Sequence, residues 1–229
     1  IGGDINVGGT KWAAEAKKNS QIPGIPYGID ITILSDPETV LPFCILDGTL
    51  ITAMRTSAVA GVFAKHTVPE GADSALLVGA GVIGRTMIMA VCEALPQIKT
   101  LYLADLDMSK AEELAADYKG VYDVDIIPVS DSKEAAAKTK LIITETTSRK
   151  PFMDKSWLKP GDTVINMGSM EADLETVMSS DIIAVDYWDQ IITYESKAVA
   201  HLYKEGKLTK DQVLDLSEMV LGTWKGRTD

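Results

Sequence analysis

Apolar and polar positions alternate in two styles along the chain. Residues 1–66 mix strand-like alternation with turn chemistry. "IDITILSDPETVLPF" predicts a strand, an Asp-Pro turn and a second strand. "ITAMRTSAVAGVFAKH" (51–66) predicts a helix rich in small residues, started by Thr52 as its N-cap. The polar, turn-rich "VPEGADS" (68–74) reads as a domain junction. After it the alternation becomes regular. "SALLVGAGVIGRTMIMAVCEAL" predicts a buried strand, a glycine turn and an apolar helix stopped by Pro96. "KTLYLAD" is a second strand, and "SKAEELAADYKG" a helix with a capping box from Ser109 and Glu112 and Gly120 at its end. "VDIIPV", "KLIITET" and "DTVINMG" follow as strands, with helical "SKEAAAK" between the first two, and "DIIAVD" makes a further strand. From about Gln190 onward the pattern is helical, as in "YESKAVAHLYKEGK" and "KDQVLDLSEMVLG". Strand and helix in alternation predict an α/β fold with a doubly wound parallel sheet.

Composition narrows the function classes. The 229 residues suffice for one large domain or two modest ones, and 46% hydrophobic with 24% charged content is that of an ordinary globular protein. A formal charge of −11 argues against nucleic acid and against an anionic membrane surface. No apolar run reaches the length of a membrane span, and no secretory leader opens the sequence. Cys44 and Cys92 form neither a disulfide framework nor a metal pattern, so no metal is expected; Cys92 reads as a buried thiol. These features together predict a cytoplasmic protein. The chain opens on Ile1, which suggests part of a longer product.

Candidate chemistry begins at the glycine turn. "LLVGAGVIG" places Gly79, Gly81 and Gly84 in G-x-G-x-x-G spacing after a strand and at the start of a helix. Such glycines permit a tight turn, close approach of backbone to a pyrophosphate, and helix–strand packing. An acid, Asp105, ends the next strand 21 residues after Gly84. There it can accept hydrogen bonds from ribose hydroxyls and repel the 2′-phosphate of NADP, which favours NAD; alternatively it is a loop acid. Asp107 reads as solvent-facing.

Arg55 stands among small apolar residues near a helix start. It is either a surface arginine whose stem lies on its neighbours or one partner of a bound anion. His66 suits a helix C-terminus on dipole grounds, and His201 reads as a helix residue without a motif. Asp36 and Asp47 are turn residues. Tyr187 and Trp188 read as interdomain packing, and Glu171, Asp173 and Glu175 as helix-start acids, with Glu171 also placed to face a nicotinamide.

"GGTKWA", "SDPETVLPFCILDGTLITAMRTSAVAGVFAKH", "LLVGAGVIGRT" and "WLKPGDTVINMGS" resemble the ornithine cyclodeaminase/mu-crystallin family, over nearly the whole chain. The resemblance implies a Rossmann domain at 67–192 and a smaller α+β substrate and dimerisation domain. The latter is built from residues 1–66 and a helical return at 193–229. It implies that Arg55 and Lys11 hold the substrate, Arg55 by its carboxylate. It implies that Thr56 lies at the cofactor phosphates, Val82 and Ile83 over the pyrophosphate, and Thr146 at the cofactor; Gly168, ending a strand of the same domain, is taken with this cofactor set. A homodimer using NAD on a small amino or imino acid follows as an expectation. The family also leads one to expect segments before "GGTK" and after Gly226-Arg227. Val40 stands where the family has glycine in its "DPETG" turn, the proline after Gly168-Ser169 is missing, and Met170 occupies the position of an aspartate found in cyclodeaminases.

Three activities fit this resemblance. The first is an NAD-dependent oxidoreductase joining an amino acid to its imine, of imino-acid reductase or alanine-dehydrogenase type. The second is ornithine cyclodeaminase. The third is a non-enzymatic small-molecule carrier, against which the presence of both Lys11 and Arg55 argues.

Overall fold

The computed structural model describes residues 5–224 and 226–227. The chain forms two compact units, Ile1–Thr56 and Ser57–Asp229.

The first unit is a three-stranded antiparallel sheet in the order β1 (Gly8–Glu15), β2 (Gly28–Ser35), β3 (Pro42–Asp47), followed by the start of α1 (Thr49–Thr67). Trp12 pairs with Ile31, and Ile33 with both Thr10 and Ile45. Because side chains alternate across a strand, Trp12, Ile31, Phe43 and Ile45 share one face, and Lys11, Asp30 and Thr32 the other. The turn between β2 and β3 is held by Asp36, which accepts from the N–H groups of Glu38 and Thr39 and from the Thr39 hydroxyl. Val40 sits in that turn at φ 60°. This left-handed conformation is the one a glycine takes without steric cost.

α1 starts earlier than Thr52. Thr49 is its first residue and the Asp47 carboxylate accepts the Thr49 N–H at 2.7 Å. Asp47, in its turn setting, thereby takes up one of the first N–H groups of the helix, in place of the Thr52 cap expected from sequence. The small residues of α1 find their reason in its second half, within the second unit. Ala60 and Ala64 are fully buried, a Cβ on Gly61 would stand 3.2 Å from the Ala90 carbonyl oxygen, and the Ser57 and Thr86 hydroxyls are 2.7 Å apart. The two compact units divide within α1, between Thr56 and Ser57.

The second unit carries a five-stranded parallel sheet in the order β6 (Asp125–Pro128), β5 (Thr100–Ala104), β4 (Ser74–Val78), β7 (Leu141–Thr144), β8 (Thr163–Asn166). α2 (Val82–Ala94), α3 (Met108–Asp117) and α4 (Ser132–Ala136) are interleaved with these strands. Leu76, Leu77, Leu101, Leu103, Leu141, Ile142 and Ile143 are wholly inaccessible, as strands covered on both faces must be. The expected α/β architecture is present. Two local expectations are replaced. Asp107, not Ser109 with Glu112, caps α3 by accepting the Ser109 N–H. "DIIAVD" forms β9 (Ile183–Val185), which pairs in parallel with β10 (Val213–Asp215) as a separate small sheet. β10 interrupts the helical reading of the C-terminal segment. α5 (Leu174–Met178), α6 (Trp188–Ile191), α7 (Ala198–Lys204) and α8 (Leu216–Val220) complete this unit. Trp188 is buried against Tyr203, edge to face at 5.4 Å, and against Leu202 and Leu208. Its packing is thus internal to the second unit, while Tyr187 is exposed.

Candidate functional site

In the first unit the polar face of the sheet meets the first turns of α1. Lys11 Nζ lies 3.4 Å from the Asp30 carboxylate and donates to Thr52 Oγ1 at 2.7 Å. Asp30 is nearly buried, and its backbone carbonyl accepts from Gly48 N–H at 2.8 Å. A Cβ on Gly48 would come within 3.0 Å of Asp30 Cβ, so glycine is what lets the chain pass from β3 into α1 against β2. Arg55 and Thr56 follow Thr52 by three and four positions, which places all three on one side of the helix. Arg55 is exposed. It lies in the second turn of α1, beyond the reach of the terminal dipole. Lys11 thus meets Thr52, and Arg55 and Thr56 follow one turn further along the same side of the helix. Asp30 has no assigned role in the sequence reading, and Thr52 has one only as a helix cap. An acid in the apolar alternation "GIDITIL", on the face opposite its isoleucines, was the available signal.

In the second unit the glycine turn follows β4. Gly79 adopts φ 122°, and a Cβ there would overlap the Glu145 carbonyl; a Cβ on Gly84 would overlap the Gly79 carbonyl. Gly81 differs. A Cβ there would meet nothing within 4 Å, so the space before the start of α2 is open. No side chain caps α2, leaving the N–H groups of Val82 and Ile83 for an external acceptor. Asp105 accepts from Ala80 N–H at 2.8 Å and, through its other oxygen, from Asp107 N–H at 2.9 Å. A carboxylate has about four acceptor positions, so two stay open. This geometry fits a dinucleotide: an open cradle at Gly81, free helix N–H groups and an acid at the end of the second strand.

Thr146 and Gly168 lie after β7 and β8, and both turn to Glu171. Glu171 is fully buried. It accepts from Thr146 N–H at 2.6 Å and from the Thr146 hydroxyl, and from Asn166 Nδ2 at 2.7 Å and Gly168 N–H at 3.0 Å. The expectation that Glu171 faces a nicotinamide is therefore replaced by an inward, fully engaged carboxylate. Lys197 was not singled out either. Its ammonium donates to the carbonyls of Met167 (2.9 Å) and Gly168. Burial pushes this lysine below its ordinary range, with Glu145, Glu171 and Asp186 acting in the opposite sense. Cys92 is partly buried in α2, and its thiol is pushed up to about 11 by burial and by Glu93. It is therefore a poor nucleophile. Asp173 caps α5 by accepting the Thr176 N–H at 2.7 Å. Among the described residues no group of three or more His, Cys, Asp or Glu could hold a metal ion. No helix of the described residues is long and apolar enough to cross a membrane.

Comparison with known proteins places this geometry in context. The N-((2S)-2-amino-2-carboxyethyl)-L-glutamate dehydrogenase of Staphylococcus aureus is 28% identical over 231 residues, covering 100% of this chain and 68% of the relative. The ketimine reductase mu-crystallin of Rattus norvegicus is 27% identical over 176 residues, 75% of this chain and 54% of the relative. The structure of Thermococcus litoralis Delta(1)-pyrroline-2-carboxylate reductase, in complex with NADH and L-proline, superposes with a TM-score of 0.87 at 30% identity. It covers 96% of this chain and 69% of that one. The chain thus spans about half to two thirds of the length of these relatives. The family model described as ornithine cyclodeaminase/mu-crystallin matches residues 2–229. With the glycine turn, the Lys11–Thr52–Arg55 group and this match in agreement, the chain belongs to the ornithine cyclodeaminase/mu-crystallin family.

Proposed function

We propose that the protein is an NAD-dependent oxidoreductase that interconverts an amino acid and its imine, or the corresponding keto acid with ammonia. The observation that carries this reading is the likeness to the pyrroline-carboxylate reductase described with NADH and L-proline. Its support in this chain is the Lys11–Thr52–Arg55 group in one unit and the open glycine cradle in the other. NAD, when bound, supplies or accepts the hydride. Gly79, Gly81, Val82, Ile83 and Gly84 receive the pyrophosphate, Asp105 the ribose hydroxyls, and Thr56, Thr146 and Gly168 complete the cofactor contacts. Arg55 and Lys11 neutralise the substrate carboxylate and fix its orientation, converting an encounter into a positioned approach. Asp105 disfavours a 2′-phosphate, so NADH binds more tightly than NADPH; tighter NADPH binding would remove that role.

The lyase alternative, ornithine to proline with loss of ammonia, needs an acid to handle the departing amine and the water. Met170 stands where the family's cyclodeaminases carry that acid, and the neighbouring Glu171 is buried and engaged. Hydride transfer keeps its parts; the lyase chemistry loses one.

The second copy of a homodimer fits the outer face of the first unit's sheet. Trp12 (57% exposed), Phe43 (59%) and Ile45 (71%) form with Ile31 an apolar surface on that single face. Contiguous apolar area of this kind marks an interaction site. A cytoplasmic location accords with the acidic, cysteine-poor composition.

The test is a panel of cyclic imines and α-keto acids with ammonia, each with NADH, and of ornithine and the compound named for the Staphylococcus aureus relative, N-((2S)-2-amino-2-carboxyethyl)-L-glutamate, each with NAD. Net NADH consumption with an imino or keto acid is expected. Efficient ornithine-to-proline turnover at catalytic NAD, without net change in NADH, would replace this reading with the lyase.

A further inference from the structure

The buried charges behind the cofactor crevice have no part in the mechanism above. The parallel sheet reverses its winding at β4 and β7, and ligands of such sheets lie beyond the carboxyl ends of the strands at that reversal. Three loops leave those ends on this side: the glycine turn after β4, Glu145–Ser148 after β7, and Met167–Met170 after β8. The first two are in backbone contact, since Glu145 N–H donates to Val78 O at 2.8 Å and Gly79 abuts the Glu145 carbonyl. The second and third are joined by Glu171. One of its oxygens takes both the N–H and the O–H of Thr146; the other takes Asn166 Nδ2 and Gly168 N–H. Four donors on a fully inaccessible carboxylate define the spacing of the two loops. The main chain of Glu171 is itself fixed, its carbonyl accepting from Phe152 and Met153 N–H at 2.9 and 3.0 Å. Space at Gly168 is filled by the same carboxylate, which a Cβ there would overlap. From the other side Lys197 grips the carbonyls of Met167 and Gly168, amid Glu145, Glu171 and Asp186. Gly168 is thus held through its N–H by an anion and through its carbonyl by a cation.

We propose that Glu171 and Lys197 are positioning residues for hydride transfer: together they fix the loops after β7 and β8, and so set where the nicotinamide end of the cofactor rests. The inference stands on the reading of the protein as an NAD-dependent oxidoreductase. It separates two demands on the crevice. The adenosine and pyrophosphate end rests on Asp105 and the glycine turn, which the clamp does not touch. The reacting end depends on loops whose donors are already committed. Thr146 in particular spends its N–H and O–H on Glu171, so the contact it makes with the cofactor is placed by that carboxylate.

The experiment compares Glu171→Gln, Lys197→Met and Lys197→Arg with the unaltered full-length protein. It measures NADH dissociation constant, kcat and KM with the best imine of the panel, and urea stability. Glu171→Gln retains size and sets an amide N–H₂ against donors. Its kcat is expected to fall by roughly ten- to a hundredfold, the scale of a misplacement of about 1 Å, while NADH affinity changes little. Lys197→Met is expected to follow it, and Lys197→Arg to recover most of that loss. Unchanged kcat in a folded Glu171→Gln protein overturns the proposal, as does a loss that only tracks weaker NADH binding or a smaller folded fraction. Should Glu171→Gln not fold, Thr146→Val carries the same test. It removes one hydroxyl bond to the carboxylate, and a kcat equal to that of the unaltered protein would overturn the clamp. Failure of the unaltered protein to oxidise NADH with any imine defeats the underlying reading; an active protein with indifferent variants defeats the clamp alone.

Discussion

Lys11 donates to Thr52 across the junction of β1 and α1 at 2.7 Å, one helical turn before Arg55. The two cations differ in what their removal leaves behind. The Arg55 side chain is exposed and makes no hydrogen bond or ion pair among the described residues. Its replacement by alanine should leave the unfolding midpoint unchanged and lower kcat/KM by about 10- to 150-fold, equivalent to a charge-assisted contact of about 1.5–3 kcal/mol. Lys11→Ala should lower kcat/KM as well and also destabilise by roughly 1 kcal/mol, because it strips Asp30 of its cation; partial solvation of Lys11 keeps that figure small. Steady-state kinetics with urea titrations on both variants check the contrast.

The three glycines of the turn should fail in different ways. Gly81→Ala places its methyl in open space, so the protein should fold normally and lose NADH affinity. Gly79→Ala meets a carbonyl at φ 122° and should cost roughly 2–4 kcal/mol of stability. Gly84→Ala should resemble Gly79→Ala. Equal NADH binding by Gly81→Ala and the unaltered protein would detach this turn from the cofactor.

Val40 is a β-branched residue held at φ 60° in the turn between β2 and β3. Val40→Gly should therefore stabilise the protein by about 1 kcal/mol, the strain relieved less the added flexibility of the unfolded chain. An increase in the urea midpoint with unchanged activity is the expected result.

Asp47 caps α1, and its hydrogen bonds with Thr49 hold its carboxyl below its ordinary value of 3.8. A carboxyl lowered on folding contributes stability that is fully present above 3.8 and is lost as pH falls through the folded value. The stability difference between the unaltered protein and Asp47→Ala should thus be constant near neutral pH and shrink below 3.8. Urea midpoints across an acid series measure it, and a difference that grows on acidification would contradict the cap.

Much of the second unit was legible because strands buried on both faces give continuous apolar runs and the glycine turn punctuates them. All five strands of the parallel sheet stand where "SALLV", "LYLA", "DIIP", "LIIT" and "TVIN" lie. β10 was not legible: "VLD" is three residues long and gains its strand form only from pairing with Ile183–Val185, far away in sequence. The start of α1 was misplaced because Asp47 and Thr52 are both capable caps, and only the chain's entry over Gly48 selects between them. Lys11 and Arg55 became meaningful through family motifs, not through periodicity. Glu171 is legible by its place after a strand but not by its inward engagement, since a buried acid and a surface acid look alike until the loops that enclose them are seen, and Lys197 carries no local signal at all.

The seat of Trp188 has an optical consequence. It is 6% exposed and packed edge to face on Tyr203, whereas Trp12 stands out from β1 into solvent. Emission from Trp188 should therefore be blue-shifted and shielded from iodide, while that from Trp12 should be red-shifted and readily quenched in a single copy and lose that quenching where the second copy of the proposed dimer covers it. With Trp157 and Trp224 changed to phenylalanine, the protein would carry one tryptophan in each unit. The melting of the sheet bearing Lys11 and that of the β9–β10 corner could then be followed by colour alone, without an added label.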